Sequence, residues 1–208
     1  TSTQMMRILG LAYRIRGSSD TVFFSADSIG KGIAANGDTN PQKPGNIHSG
    51  WFGTTMRALA SKSRPVGYVN FGISGNSSTL YQARAKAQIT NLKPSIALYC
   101  PYTVNDTPSN AMVITQQMAR TAELLDHART AGVLPVLVTP TPQSPTLALE
   151  LDLVAKINAI TSAPVINNHP AIYDPTNSGN SYIRAGMNFD ADHPNAAGHL
   201  EIATLRTI

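Results

Sequence analysis

Four short stretches of this chain carry side chains that can move a proton or hold a developing negative charge. Ala26-Asp27-Ser28 closes an apolar run and is followed by Gly30 and Gly32. Asn70-Phe71-Gly72-Ile73-Ser74-Gly75 closes a second run, Thr103-Val104-Asn105-Asp106 follows a third, and Asp190-Ala191-Asp192-His193-Pro194-Asn195 lies near the C-terminus. Together these are the groups that acyl transfer requires. A serine hydroxyl is a weak nucleophile until a base within hydrogen-bond reach takes its proton, and that base needs a carboxylate to hold its tautomer. Ser28, His193 and the pair Asp190 and Asp192 supply those types. Gly75 offers a bare backbone N–H and Asn105 an amide N–H to an oxyanion. Each stretch also has a plainer reading. Asp27 and Ser28 suit a helix N-cap, Asp190 and Asp192 a helix entry, Asn105 and Asp106 a turn, and His193 and His199 packing positions. The sequence points to no partner for His48, His127 or His169, which are read as packing or surface residues.

Chemistry of this kind needs rigid elements beneath it. Val22 to Phe24 are β-branched and aromatic, as a buried strand requires, and the glycines after Ser28 permit a sharp turn from strand to helix. Ser28 then stands at the carboxyl end of the strand, the edge where open α/β sheets bind ligands, with its own N–H near a helix start that favours negative charge. Further strands are expected at 66–71, 96–99, 133–138 and 165–167, and helices at 51–59, 80–92, 110–131 and 147–160, with one more after 195. Gly132 marks a helix end. Strands alternating with helices predict an α/β fold, a doubly wound five-stranded parallel sheet with helices on both faces. Residues 21–208 are read as one domain. Residues 1–20, with Met6, Ile8, Leu9, Leu11, Tyr13 and Ile15 in imperfect alternation, are read as an N-terminal extension or strand packing on that domain or on a neighbouring module.

Composition narrows the partners. Charged residues make up 13% of the chain, against about 25% in ordinary soluble domains, so Asn, Ser, Thr and Gln must cover much of the surface. Such a surface points to an extracellular or virion-associated protein, and a bacterial or phage source is expected because Asn105-Asp106-Thr107 is a formal N-glycosylation acceptor whose glycan would block the Asn105 amide. The start at Thr1 suggests processing or an excised domain. The net charge of +4 comes from scattered Lys and Arg, with no basic run and no interleaved aromatics, so nucleic acid is not an expected partner. No apolar stretch is long enough to cross a membrane, and no membrane partner is expected. Cys100 is the only cysteine, which leaves no intrachain disulfide or cysteine metal cluster and suits a small buried hydrophobe.

Taken in order, the four stretches resemble the four blocks of the SGNH (GDSL-type) esterase and lipase family, over about Val22 to His199. The resemblance implies a three-layer, flavodoxin-like α/β/α fold and a serine esterase with no cofactor and no metal. In that family the block-one serine is the nucleophile, which puts Ser28 in that role. The block-one N–H, the block-two glycine and the block-three asparagine form an oxyanion hole, here Ser28, Gly75 and Asn105. The last block supplies base and carboxylate, here His193 and, three residues before it, Asp190 rather than Asp192. Ala26 and Thr103 depart from the pattern, each standing where the family usually has glycine, and each adds a Cβ to a turn beside the site. The family includes carbohydrate acetylesterases and lipases. Loops rich in Asn, Ser, Thr, Gly and Pro offer hydrogen bonds to sugar hydroxyls and little apolar area to an alkyl tail. The expected substrate is therefore a short acyl ester, chiefly acetyl, on a carbohydrate or polysaccharide, with Trp51 and Tyr102 as candidate faces for a sugar ring, although buried packing suits Trp51 better. A lipase or thioesterase of the same fold, and a catalytically weak carbohydrate-binding or structural domain, are the alternatives. The chain lacks the Gly-x-Ser-x-Gly elbow, the phosphate-binding Gly-x-x-x-x-Gly-Lys and the His-Glu-x-x-His metal motif.

Overall fold

The computed structural model describes residues 20–35, 49–60, 65–106, 111–142, 147–177, 182–190 and 192–204. Strand β1, Asp20–Ser25, leads into a chain buried without interruption from Val22 to Gly30. After it come α1 (Ser28–Lys31), α2 (Trp51–Leu59), β2 (Val66–Asn70), α3 (Ser78–Leu92), β3 (Ile96–Tyr99), a 3-10 turn (Val104–Asp106), α4 (Ala111–Thr130), β4 (Leu134–Val138), α5 (Leu147–Asn158), β5 (Val165–Ile166), α6 (His169–Ile172) and α7 (Ala196–Thr204). All five strands are parallel, in the order β2-β1-β3-β4-β5. The order reverses between β1 and β3, the place where doubly wound sheets open a crevice.

The strand alternation builds a core on each face of the sheet. Phe23, Ala97, Tyr99 and Leu137 face α3, α4 and α5, meeting Tyr81, Ile89, Leu124 and Leu153. Val22, Phe24, Leu98, Val136 and Val138 face the other way, onto Trp51, Phe52 and Met56 of α2 and Ile202 of α7. This is the expected three-layer α/β/α arrangement. Register sets the site: Phe24 pairs with Asn70 and Leu98, and Ser25 with Tyr99, so β1, β2 and β3 end level. The segments carrying Ser28, Gly75 and Asn105 therefore leave the sheet along one edge.

Helix 51–59 and strand 96–99 have the expected bounds, and the other expected elements are trimmed or extended by one to two residues at their ends. Gly132, at φ +74°, closes α4 as expected. The four-residue α6 was not expected, because its periodicity is too short to register. The extension read at 1–20 lies outside the described residues except for Asp20, which already pairs with Val66 as the first residue of β1. Among the described residues, no helix is long and apolar enough to cross a membrane.

Candidate active site

The turn after β1 bears out the capping reading for Asp27. Asp27 caps α1, its Oδ1 accepting the N–H groups of Ile29 at 2.9 Å and Gly30 at 3.3 Å, and Ser28 is the first helical residue. Gly32, in the left-handed region at φ 90°, ends the helix after four residues. Burial drives the Asp27 carboxyl up to about 6, against the opposing effect of the two N–H bonds. From β2, Asn70 braces this turn: its Nδ2 donates to the Gly30 carbonyl at 2.7 Å while its Oδ1 accepts the Gly72 N–H at 2.8 Å.

His193 arrives from far along the chain. An antiparallel bridge between Asn188 and Pro194, with the Phe189 N–H donating to the His193 carbonyl at 2.8 Å, folds the segment into a tight loop. Asn195 locks its base, donating through Nδ2 to Gly186 O and Asn188 O and accepting the Gly198 N–H in the first turn of α7. Inside the loop, Asp190 Oδ1 accepts the N–H groups of Asp192 and His193, each at 2.8 Å. Its two oxygens lie 2.9 and 3.0 Å from His193 Nδ1. Burial tends to raise the Asp190 carboxyl, but the donated N–H groups and the imidazole outweigh it and hold the group below its ordinary value. An ionised carboxylate only accepts, so Nδ1 carries the proton and Nε2 presents a lone pair. That lone pair faces Ser28, with Oγ to Nε2 at 2.9 Å. Asp192 has no such contact with the ring, and its carboxyl is raised, chiefly by burial.

The donors lie alongside. Gly75 is exposed at φ +75°, a conformation suited to glycine, with open space where a Cβ would stand. Asn105 sits in the 3-10 turn after β3, where its Nδ2 donates one hydrogen to Asn76 O at 3.1 Å and keeps a second. Asp106 ties that turn to α3, accepting from Thr103 N at 2.8 Å and from Ser78 N and Oγ at 2.9 Å each. The candidates Ser28, His193 and Asp190 thus form one hydrogen-bonded line, and Gly75 and Asn105 occupy the adjoining loops, linked through Asn76.

The sequence matches no protein-family model and no curated protein. Solved structures do match. A protein described as lipolytic, of the G-D-S-L family, from Desulfitobacterium hafniense superposes with a TM-score of 0.68 at 15% identity, over 90% of this chain and 97% of that one. The acetylxylan esterase Axe2 from Geobacillus stearothermophilus superposes with a TM-score of 0.65 at 21% identity, over 89% and 91% of the two chains. A GDSL-like lipase from Bacteroides thetaiotaomicron superposes with a TM-score of 0.60 at 17% identity, over 89% and 85%. The chain has the GDSL-type (SGNH) hydrolase fold.

Within this fold several side chains lie where sequence reasoning did not put them. Tyr102, a candidate face for a sugar ring, is buried at 3% exposure, while Trp51, at 2%, takes the buried packing role favoured for it. Trp51 packs edge-on against Phe24, so neither ring is available to stack on a sugar at the surface. His169 has a partner after all: its Nε2 meets Glu150 Oε1 at 2.7 Å in the interior. His127 bonds with Thr90 and the Lys86 carbonyl, and His48 lies outside the described residues. His199 is a packing residue, its Nδ1 accepting from Trp51 N at 3.3 Å and its Nε2 bonding Ile33 O at 3.0 Å. Cys100 is half-buried, and burial raises its thiol well above the ordinary value. Among the described residues no three His, Cys, Asp or Glu side chains converge as metal ligands. The bracing roles of Asn70, Asn76 and Asp106 were not legible, because each depends on which strand lies beside which.

The two departures from the family pattern are accommodated differently. Ala26 is buried in the core, and a Cβ built on Gly30 would stand 2.3 Å from the Ala26 methyl. The methyl at 26 therefore requires the bare backbone at 30. Thr103, 1% exposed, turns its hydroxyl into hydrogen bonds rather than into the crevice.

Proposed function

We propose that the protein is a serine esterase acting on short acyl esters, chiefly acetyl groups on a carbohydrate. The observation that carries this reading is the line from Ser28 Oγ through His193 to the Asp190 carboxylate, with both links at 2.9 Å. Ser28 Oγ attacks the ester carbonyl carbon as its proton passes to His193 Nε2. Charge develops on the carbonyl oxygen, where the Ser28 and Gly75 N–H groups and the Asn105 amide meet it. Donors that engage only the tetrahedral state lower the barrier, and losing one such donor costs on the order of 3 kcal/mol. His193 then returns the proton to the departing alcohol, and a water molecule repeats the sequence to release the acid. Asp190 keeps the imidazole in the required tautomer and steadies the imidazolium that forms.

The acyl preference rests on the walls. The described loops beside Ser28 present Asn76, Ser77 and Asn105, which suit hydroxyl-rich substrates and give an alkyl tail little to bury against. The large apolar cleft, about 310 Å³, lies elsewhere, lined by Val22, Val66, Ile96 and Met56 beneath α2. Two of the matching Axe2 structures are catalytic mutants of that esterase, one with a serine and one with an aspartate replaced by alanine, which supports the same residue types here. The sparsely charged composition supports an extracellular or virion-associated setting. The test is a series of p-nitrophenyl esters from acetate to palmitate beside an acetylated xylan. Efficiency is expected to fall with chain length, with acetate released from the polysaccharide. A rise toward palmitate with no acetate released would establish the lipase alternative instead.

A further inference from the structure

Thr103 is buried where glycine is usual in the resembled family, and a buried hydroxyl is unfavourable unless bonded. Its two bonds go to the residues that frame the oxyanion site. Thr103 Oγ1 donates to Asn76 O at 3.2 Å and accepts the Asn105 backbone N–H at 3.0 Å. Asn76 O also receives Asn105 Nδ2 at 3.1 Å, so the three residues close a ring joining the loop after β2 to the turn after β3. Asn76 is held in turn from α3: with its amide oriented by the surrounding donors, its side-chain oxygen accepts from Arg84 Nη1 and Nη2 at 2.8 and 2.9 Å.

The ring decides which end of the Asn105 amide faces a substrate. The carbonyl of Asn76 can only accept, so it selects the NH₂ end of Asn105 and leaves the second hydrogen for an oxyanion. A flipped amide would present its oxygen and repel the developing charge. We propose that Thr103 is a positioning residue for transition-state stabilisation, its hydroxyl clamping the Asn105 backbone to the Asn76 carbonyl so that the amide stays donor-outward. This rests on the esterase reading above. It also assigns a purpose to the departure from glycine: the threonine supplies by a side-chain bond an order that glycine cannot supply.

The experiment uses the intact protein with p-nitrophenyl acetate. Thr103→Val keeps the shape and removes the hydroxyl; kcat is expected to fall on the order of tenfold or more with KM changed by less than about twofold, because the contact strengthens only in the transition state. Thr103→Ser is expected to recover most of the rate, whereas Thr103→Gly, the usual family residue, is expected to lose it. In an Asn105→Ala background, Thr103→Val should have little further effect, since both act through one amide. Full kcat in Thr103→Val, failure of Thr103→Ser to recover the rate, or an additive loss in the double variant would overturn the proposal. Should a variant fold poorly, the Ser-against-Gly comparison still decides. Failure of the esterase reading is separate and shows as hydrolysis that survives Ser28→Ala.

Discussion

At the scale of single residues, the contact between Ser28 and His193 joins positions 165 apart in sequence, while Asp190 reaches the same imidazole from three residues away. Two expectations follow from the difference. Nucleophile and base act as one unit, so Ser28→Ala and His193→Ala should each reduce kcat by several orders of magnitude, with the double variant hardly worse. Initial rates on p-nitrophenyl acetate check this, and multiplying losses would break the pairing. Of the two carboxylates Asp190 touches Nδ1, so Asp190→Asn should lower kcat on the order of a thousandfold or more, as a wrong tautomer does, while Asp192→Asn should stay within a few-fold. The reverse ranking would move the carboxylate role to Asp192.

At the scale of elements, the site depends on how closely the end of β2 passes the turn after β1. Gly72 lies against that turn: a Cβ there would stand 2.5 Å from Lys31 N and 2.8 Å from Asp27 O, both backbone atoms that cannot rotate away. Gly72→Ala should therefore push α1 outward, costing on the order of 1–3 kcal/mol as overpacking does. Because Ser28 opens α1, the same displacement should lengthen its contact with His193 and lower kcat. Urea unfolding and steady-state kinetics on one preparation check both effects, and an unchanged midpoint with unchanged kcat would show that the turn yields freely.

At the scale of the whole molecule, two buried ionisable groups pull acid stability in opposite directions. Burial raises Asp27 to about 6 from an ordinary 3.8, so the native state takes up a proton first, and stability rises as pH falls from above 6 to 3.8. Burial lowers His199 to about 4 from an ordinary 6.5, so the unfolded chain takes up its proton first, and stability falls as pH drops from 6.5 to 4. Each swing is on the order of 3 kcal/mol, and the two nearly cancel over the same window. Asp27→Asn keeps a capping oxygen and removes only the first swing. Relative to wild type, the variant should be more stable at pH 8 than at pH 4, the difference shrinking by about 3 kcal/mol between them. Urea unfolding at the two pH values checks this, and a difference independent of pH would mean that Asp27 is not the group that titrates.

The sequence by itself determined the α/β class, the number of strands and the order of the polar stretches along the chain, because strand alternation and helical spacing are local patterns and a glycine after a strand acts on its own turn. Helix 51–59 and the stop at Gly132 were legible for that reason. The tertiary structure decided the rest. It brought Ser28 to His193, buried Tyr102, paired His169 with Glu150, and made Thr103 a link rather than an obstruction. Each of those outcomes depends on which strand neighbours which and on the register between them. Periodicity carries no record of either, since the parallel order β2-β1-β3-β4-β5 is set by helices packing across both faces of the sheet, and the polar contacts form only where its edges come level.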